Sequence, residues 1–365
     1  MKKAILIGAG QTGRGFIAPI LQRNGYQLIF VDKRKELIEL LKEKKQYTVR
    51  YFGNTKEPIQ ISGYEAYTID DEALLPHFED VDLVTTSVFA GNLVDIIPLL
   101  KEATKRRSSE CPLQIICCEN GVDVKKPLKD VRLSASIAEG VIFCTTLNPD
   151  ETQLDVISED YPELPVDGKV KGIQLKIEGM PMGPDFPSLI QRKIYTYNYM
   201  SALVAYLGHY KGYEVYGDAG NDEDIVEVIH KTVPLISRII AKEYKISYDK
   251  QLEFTMRAVR KFQNKEIYDT IYRNARQVQR KLQKNERMYE PVRLAHKYQE
   301  STVYFSLTIA AAIHYGVENE GLNVEELTSI YAEYPSITDE IAKLYQLMKN
   351  KKSLKEILTI CESMQ

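Results

Sequence analysis

The stretch AILIGAGQTGRGFI, residues 4–17, decides how the first half of this chain folds. An apolar run leads directly into Gly8, Gly10 and Gly13, spaced as GxGxxG, and a helix-type pattern follows. In such a strand–turn–helix the first glycine permits a tight turn, the second lets the backbone approach a pyrophosphate, and the third allows close helix packing. The N–H groups of the helix N-terminus favour an anion there. The stretch therefore predicts a dinucleotide-binding site.

An acidic residue should end the next strand, and Asp32 closes the run LIFVD nineteen positions after Gly13. Its carboxylate would hydrogen-bond the ribose hydroxyls of NAD and repel the 2′-phosphate of NADP. Lys33 and Arg34 argue the other way, because either could pair with that phosphate, but Asp32 carries more weight and NAD is the predicted cofactor. The other predicted cofactor contacts are Gln11, Thr12, Arg14, Thr86 and Glu119.

The runs AILI, LIFVD, VDLVTTSV and LQIICCEN alternate with helix-type segments. That order predicts an α/β fold with a Rossmann-like doubly wound sheet. Residues 47–70 interrupt it with two strand-like runs, which we expect to form an antiparallel insert. Only two glycines fall between residues 221 and 350, so we expect a mostly α-helical C-terminal domain. The predicted domains are residues 1–186, which bind the dinucleotide, and residues 187–365, which form the helical substrate and catalytic domain.

Composition limits the class of partner. The formal net charge is −3, from 48 basic and 51 acidic residues, which gives no general attraction to nucleic acid or to an anionic membrane. No apolar run approaches the roughly 20 residues of a membrane span. A small-molecule partner therefore fits best.

Five cysteines show neither CxxC spacing nor a paired framework, and we expect buried, reduced thiols in a cytoplasmic protein. Five scattered histidines lack any metal-ligand spacing, so no metal site is expected.

The segment RKIYTYNYMS, residues 192–201, lies in an amphipathic pattern that predicts one helix between an N-cap at Asp185 and a C-terminal stop at Gly212. At about 100° per residue, Asn198 would lie about 140° from Lys193, with Ser201 between them. All three side chains could then border one cleft. The three tyrosines of the segment cannot all face that cleft, and we expect most of them to pack.

Lys193 and two asparagines suit hydride transfer from an alcohol, which needs a base for the hydroxyl proton and donors for the developing alkoxide. A lysine can be that base if desolvation and a nearby positive charge lower its pKa, and amides can donate without adding charge. Asn120 ends the run LQIICCEN, where ligands gather in such sheets, and is the second amide. Taken alone, however, a helical lysine is usually solvated and an asparagine at a strand end usually starts a turn.

Seven segments occur in a single order along the chain: GAGxxGRGFI at 8–17, YxVxxxGxT at 47–55, VDLVTT at 81–86, CEN at 118–120, RKxxTxN at 192–198, AYLG at 205–208 and RKLxxxxR at 280–287. Together they resemble the mannitol-1-phosphate 5-dehydrogenase branch of the polyol-specific long-chain dehydrogenases. The resemblance implies an NAD-dependent oxidoreductase that interconverts a polyol or polyol phosphate and the corresponding ketose, as a monomer or small homo-oligomer.

The family's catalytic helix reads KxxxxNxxH. This pattern implies Lys193 as the general base, Asn198 as the group that binds the reacting oxygen, and Asn120 as an assisting amide. The place of the histidine is held by Ser201, which can still donate and accept a hydrogen bond. The family's aspartate and arginine before a proline are replaced by threonines at residues 145–146. We expect the chemistry to survive with altered specificity.

A stripe of basic residues follows i, i+3, i+7, i+11 and i+14, so that on one continuous helix its members would share a face. They are Arg273, Arg276, Arg280, Lys284 and Arg287. Such a stripe is usually a solvated surface. The resemblance shifts this interpretation, because the matching family segment lies at the substrate cleft and a sugar phosphate needs an arginine fork there. The resulting candidate substrate contacts are Arg276, Arg280 and Lys281, with Arg287 weaker.

Two other functions compete with this one. A β-hydroxyacid-type dehydrogenase also uses a lysine and an asparagine, but at KxxxN, and Tyr197 holds that position here. A dinucleotide-binding sensor or regulator without turnover is suggested by Ser201 and by the threonines at residues 145–146. The retained lysine and asparagines argue against it, because a sensor has no chemical need for a base between two amides.

Overall fold

The computed structural model describes residues 2–107, 111–121, 123–150 and 153–364. The chain separates into two compact units, residues 1–190 and 191–365. The boundary lies inside a helix that begins at Phe186.

The strands belong to the N-terminal unit. They are β1 (Lys2–Ile7), β2 (Tyr26–Asp32), β3 (Gln46–Tyr51), β4 (Ile59–Ser62), β5 (Glu65–Thr68), β6 (Leu83–Thr86), β7 (Leu113–Cys117), β8 (Ala135–Glu139), β9 (Thr146–Leu147), β10 (Val156–Ser158), β11 (Val166–Asp167) and β12 (Met182–Gly183). The α-helices that begin in this unit are α1 (Ala18–Arg23), α2 (Lys35–Lys44), α3 (Ile97–Lys105), α4 (Lys126–Asp130) and α5 (Phe186–Lys193). A π-helical turn, Gly13–Ile17, precedes α1, and 3₁₀ turns span Phe52–Asn54, Glu72–Phe78 and Ala90–Ile96.

The main sheet is parallel throughout, in the order β5-β2-β1-β6-β7-β8. Its central strand β1 is apolar and buried from Ala4 to Ile7, as expected where both faces of a parallel sheet are covered. The chain leaves β1 toward β2 and later returns to β6 on the other side of β1. This reversal creates the switch point at which open α/β sheets bind ligands. The predicted Rossmann-like sheet is confirmed.

The antiparallel insert is smaller than predicted for residues 47–70. β3 and β4 do pair antiparallel, and β3 also pairs with β10 in a separate four-stranded sheet. β5, at the end of the predicted insert, instead pairs in parallel with β2 and forms an edge of the main sheet. Gly63, with φ +67°, turns the chain out of the hairpin just before β5.

The C-terminal unit is helical, as predicted. It begins in α5 and continues through a π-helical turn, Ile194–Asn198, into α6 (Tyr199–Tyr210). The remaining helices are α7 (Tyr216–Ala219), α8 (Glu223–Tyr244), α9 (Tyr248–Gln263), α10 (Ile271–Ala275), α11 (Val278–Leu282), α12 (Tyr289–Lys297), α13 (Val303–Glu320), α14 (Val324–Ser329), α15 (Pro335–Lys349) and α16 (Leu354–Ser363).

Helix α13 forms the core of this unit. Every side chain from Val303 to Ile313 is buried, and the helix packs against α6 and α15. A helix that is apolar on all sides belongs in the interior. The neighbouring α8 starts at Asp222, whose carboxylate accepts hydrogen bonds from the N–H groups of Asp224 and Ile225 and caps the helix. Among the described residues, none of the helices combines the length and apolar character needed to cross a membrane.

All five cysteines are free thiols, but their burial differs from the prediction. Four are buried, whereas Cys111 is exposed. It precedes β7 at the surface, where Arg107 Nη2 lies 3.3 Å from its sulfur. The expectation of buried thiols is therefore wrong for Cys111.

Candidate active site

The three glycines of the loop after β1 have different surroundings. A Cβ on Gly8, which has φ +101°, would lie 2.5 Å from the carbonyl oxygen of Ser87, and one on Gly13 would lie 2.2 Å from the carbonyl oxygen of Gly8. A Cβ on Gly10 would meet only the end of the Arg34 side chain, at 3.8 Å. The fold itself therefore requires glycine at positions 8 and 13. At position 10 the absence of a side chain leaves room for a ligand beside the backbone.

The buried side chain of Arg14 stabilises this loop through hydrogen bonds to backbone carbonyls. Its side chain is 1% exposed, and its guanidinium donates from Nη1 to the carbonyl of Ala9 (2.5 Å) and from Nε to the carbonyl of Leu154 (3.2 Å). Burial lowers the pKa of Arg14 from its usual value. Gln11 and Thr12, by contrast, are partly exposed. The buried Arg14 side chain therefore stabilises the conformation of the loop, and we expect it to act on cofactor binding in this way.

Asp32 and Arg34 form an ion pair. In the sequence, Asp32 favoured NAD and Arg34 favoured NADP. Arg34 donates from Nε to Asp32 Oδ1 and from Nη2 to Oδ2, each at 3.0 Å. Burial acts to raise the pKa of Asp32, but the hydrogen bonds and charge of Arg34 outweigh it and hold that pKa below its usual value. Asp32 is therefore ionised at the end of β2, with a guanidinium beside it.

The ends of β6 and β7 are joined by a buried carboxylate. Glu119 Oε2 accepts a hydrogen bond from Thr86 Oγ1 at 2.9 Å, and its Oε1 accepts one from the N–H of Val88 at 3.1 Å. Burial raises the pKa of Glu119 to about 7. Asn120, the next residue, is exposed. Glu119 therefore links the chain at the ends of β6 and β7, whereas Asn120 is exposed.

The predicted catalytic helix is interrupted by the π-helical turn Ile194–Asn198, so the calculated angle of about 140° between Lys193 and Asn198 is wrong. In a π-helix the hydrogen bond joins residues i and i+5 rather than i and i+4. Residues five apart, such as Lys193 and Asn198, are then closer to one face than they would be on a regular α-helix. Such turns often mark functional sites. Gly212, with φ +80°, ends the helical segment as predicted.

Lys193 is buried within this segment, with only 5% of its surface exposed. Burial lowers its pKa to about 7, with further contributions from the positive charges of Arg287 and Lys261. A lysine with this pKa can lose its proton near neutral pH, as a general base must. Lys261 was missed by the sequence analysis, because nothing local marks a lysine in the last turn of α9 as a neighbour of Lys193.

The other side chains of the predicted catalytic helix are either packed in the interior or partly exposed. Tyr197 packs edge-on against Phe254, with ring centroids 4.9 Å apart, and Tyr199 donates a hydrogen bond to Thr308 Oγ1 at 3.0 Å. Asn198 and Ser201 are partly exposed. Since they are three residues apart, they occupy neighbouring positions on one face. The tyrosines therefore anchor the helix and leave the two polar residues on its accessible side.

The basic stripe does not lie on one continuous helix, so its members do not share a single helical face. Gln277 and Asn285 both have φ +66° and divide the segment into α10, α11 and a following turn. Arg273 pairs with Asp269 (2.5 Å), Arg280 with Glu286 (2.7 Å) and Lys284 with Glu333 (2.9 Å). Arg276 and Arg280 are exposed. Neither break could be predicted from the sequence, because the residues with left-handed backbone conformation at these points are not glycines.

Two basic residues of the segment turn inward instead. Lys281 is 5% exposed and donates a hydrogen bond to the carbonyl of Asn274. Its pKa is lowered to about 7 by burial and by the charges of Arg287 and Arg280. Arg287 has a side chain 15% exposed, with Nε 3.4 Å from Glu286 Oε2. The arginine given least weight from the sequence thus lies near the predicted base.

A cavity of about 650 Å³ lies elsewhere in the C-terminal unit, at the far end of α6. Its lining includes His209, His314, Glu318 and Lys352, but none of the residues proposed above for binding or catalysis. His209 is sixteen residues beyond Lys193, which corresponds to roughly 24 Å along a helix. This cavity therefore does not belong to the candidate active site.

Two family models and several known proteins match nearly the whole chain. The family model described as the mannitol dehydrogenase Rossmann domain matches residues 2–179, and that of the mannitol dehydrogenase C-terminal domain matches residues 185–364. The mannitol-1-phosphate 5-dehydrogenase of Thermoanaerobacter pseudethanolicus is 29% identical, covering 98% of this chain and 99% of its own. That of Buchnera aphidicola is 30% identical, covering 98% and 97%.

Solved structures share the fold. The Pseudomonas fluorescens mannitol 2-dehydrogenase, in a ternary complex with NAD and D-mannitol, matches with a TM-score of 0.73 at 14% identity, covering 100% of this chain and 94% of its own. A substrate-free D-sorbitol dehydrogenase matches with a TM-score of 0.76 at 14% identity, covering 97% and 94%. The family models and the two relatives confirm, over nearly the full length, the resemblance seen in seven short segments.

Proposed function

The chain belongs to the mannitol dehydrogenase family of NAD-dependent polyol dehydrogenases, and from this premise we propose that it interconverts a mannitol 1-phosphate-like polyol phosphate and the corresponding ketose phosphate. The observation that carries this proposal is the buried Lys193, whose pKa is lowered to about 7 on the helix with the KxxxxN pattern. Curated relatives that match nearly the whole chain bear the name of this activity.

The N-terminal unit has features that fit NAD. The backbone at Gly10 has space on its outer side, which a pyrophosphate needs for close approach. Asp32 is ionised at the end of β2, where the ribose hydroxyls of a dinucleotide are bound. NAD, when bound there, supplies the hydride acceptor for the oxidation of an alcohol.

We assign the proton transfer to Lys193. In the oxidation direction its unprotonated amine accepts the hydroxyl proton of the substrate, and in reduction its ammonium returns that proton. Asn198, on the same face of the π-helical turn, donates a hydrogen bond to the reacting oxygen as charge develops on it. The family pattern adds the amide of Asn120 as a second donor, and the hydroxyl of Ser201 is available to a substrate hydroxyl.

The competing functions find less support. The KxxxN pattern of a β-hydroxyacid-type dehydrogenase would place an amide at position 197, but Tyr197 packs there against Phe254. The relatives that match over nearly their full length are named as enzymes, which gives no support to a dinucleotide-binding sensor without turnover.

The pH dependence of turnover should report the pKa of Lys193. The kcat/KM for polyol oxidation is expected to rise through about pH 7, because only unprotonated Lys193 accepts a proton, and that for ketose reduction should fall over the same range. Arg287→Gln removes a positive charge that lowers this pKa. The pKa should therefore rise, and the oxidation profile should move to higher pH.

Steady-state pH–rate profiles of the wild type, Arg287→Gln and Arg273→Gln test this assignment. Arg273 is a matched control in the same segment, because its charge is paired with Asp269. A profile that stays in place in Arg287→Gln would mean that Arg287 does not act on the base.

Substrate choice tests the role of the exposed arginines. We expect NADH oxidation with fructose 6-phosphate to exceed that with fructose by at least about 100-fold in kcat/KM, since two charge-assisted hydrogen bonds of about 1.5–3 kcal/mol each together contribute about 3–6 kcal/mol. The double variant Arg276→Gln/Arg280→Gln lacks both bonds, so it should raise the KM for fructose 6-phosphate by a similar factor of about 100-fold and leave fructose turnover unchanged. Steady-state kinetics with both sugars measures this.

The Arg273→Gln variant is again the control and should behave as the wild type. Equal losses on both sugars would show that these arginines do not read the phosphate. Turnover with neither sugar, despite tight NADH binding, would place the substrate in another class of carbonyl compound.

A further inference from the structure

We propose that Phe89 is a cofactor-binding residue, held in a strained backbone conformation so that its ring packs on the bound dinucleotide. The inference rests on the proposed function in one respect, that the N-terminal unit binds NAD. It adds a contact from a residue to which neither the glycine motif nor the KxxxxN pattern assigns a role.

The first observation is backbone strain. Phe89 has φ +69° and ψ 141°, a conformation nearly confined to glycine and a clear outlier for a bulky side chain. Hydrogen bonds on both sides fix it. The N–H of Val88 donates to Glu119 Oε1 at 3.1 Å, and the N–H of Asn92 donates to the carbonyl of Phe89 at 2.9 Å. Such strain persists where the surroundings enforce it, and it concentrates at ligand sites.

The second observation is exposure. The Phe89 side chain is 81% exposed in the whole chain, although phenylalanine ordinarily contributes to stability by burial. Strain and exposure are both unfavourable for the folded chain alone. At this exposure the ring has little contact with the described residues that could compensate for either, so its partner is to be sought in what the site binds.

The third observation is location. Phe89 follows β6 by three residues, and β6 lies beside β1 at the switch point of the sheet. Between them, Ser87 donates from Oγ to the carbonyl of Gly8 at 2.9 Å, so the loop after β6 touches the glycine-rich loop. A dinucleotide held at Gly10 lies within the reach of a side chain on this loop. It also carries flat rings on which an aromatic residue can stack.

Three variants separate the ring from the strain. Phe89→Ala removes the ring but keeps a Cβ at positive φ, Phe89→Gly removes the ring and relieves the strain, and Phe89→Tyr keeps both. We expect Phe89→Ala and Phe89→Gly to weaken NADH binding by about tenfold or more, as loss of a stacking contact does. Phe89→Tyr should bind within about twofold of the wild type.

The melting temperature without cofactor supplies the second readout. Phe89→Gly should melt about 2–4 °C above the wild type, because glycine adopts this conformation without strain. Phe89→Ala should melt close to the wild type. The decisive pattern is a variant, Phe89→Gly, that is more stable without NADH and yet binds NADH more weakly.

NADH fluorescence titration and thermal melts on the full chain give both quantities without requiring turnover. Unchanged NADH affinity in Phe89→Ala and Phe89→Gly, in a wild type that binds NADH and turns over, would overturn the role of Phe89 and leave the proposed function intact. If these two variants bind NADH like the wild type but differ from it in sedimentation velocity, the cofactor role of Phe89 is overturned and its ring instead mediates association between copies of the chain. A wild type that binds no NADH would overturn both proposals.

Discussion

Lys193→Met is expected to lower kcat by about 10²- to 10⁴-fold, the usual contribution of a positioned general base, and to leave NADH affinity essentially unchanged. Methionine keeps the length and apolar stem of the lysine, so the buried site stays filled. Because the apolar methionine fills the same buried space, the variant should fold like the wild type. Stopped-flow or steady-state assays with fructose 6-phosphate, together with a thermal melt, measure the two effects.

Lys193→Arg separates the base from the charge. Arginine keeps the positive charge at position 193 but does not release its proton near neutral pH, so this variant should be as inactive as Lys193→Met. Lys250→Ala, on an exposed position of α9, is the matched lysine control and should retain full activity. Substantial turnover by Lys193→Arg would show that the residue acts through its charge and that the base lies elsewhere.

The second large effect concerns the glycine loop, where two substitutions of the same size should act on different properties. Gly13→Ala is expected to destabilise the protein by about 3 kcal/mol or more, because the added Cβ would lie 2.2 Å from the Gly8 carbonyl oxygen. Gly10→Ala meets only the end of Arg34 at 3.8 Å, so the fold should be unaffected. NADH affinity of Gly10→Ala should nevertheless fall by about tenfold or more, because the Cβ occupies the space a pyrophosphate needs.

Chemical denaturation and NADH calorimetry on both variants test this separation. Gly183→Ala is the control, since a Cβ there meets open space, and it should resemble the wild type in both measurements. Wild-type NADH affinity in Gly10→Ala would mean that the cofactor does not approach the backbone at Gly10. A fully stable Gly13→Ala would contradict the close packing of the helix on the loop.

Much of the N-terminal unit could be predicted because its signals are local. β1 contains the uninterrupted apolar run from Ala4 to Ile7, and Gly8, Gly10 and Gly13 follow it at fixed spacing, so strand, turn and helix can be recognised within fourteen residues. The error at β5 arose where pairing partners decide the outcome. A strand after a turn can close a hairpin or join another sheet, and here the edge of β2 was available to it.

The C-terminal errors have a common cause. The shared face of the basic stripe depended on one continuous helix, because periodicity assumes continuous φ and ψ values. Gln277 and Asn285 instead adopt positive φ, without the glycine that would have signalled a break. The π-helical turn at Ile194–Asn198 was equally hidden. It occurs where Gln251 holds Thr196 and Phe254 packs on Tyr197, contacts that come from a distant helix.

Residue identity and short-range spacing were enough to predict the doubly wound sheet and the glycine loop, and to select Asp32, Lys193, Asn198 and Asn120 as candidates. The tertiary structure was needed to show that Arg34 pairs with Asp32 and that Arg287 acts on the pKa of Lys193. It also decided that Phe89 is exposed and strained. These properties arise from burial and from charges brought together over long stretches of chain, and desolvation and Coulomb interactions depend on distance in space rather than along the sequence.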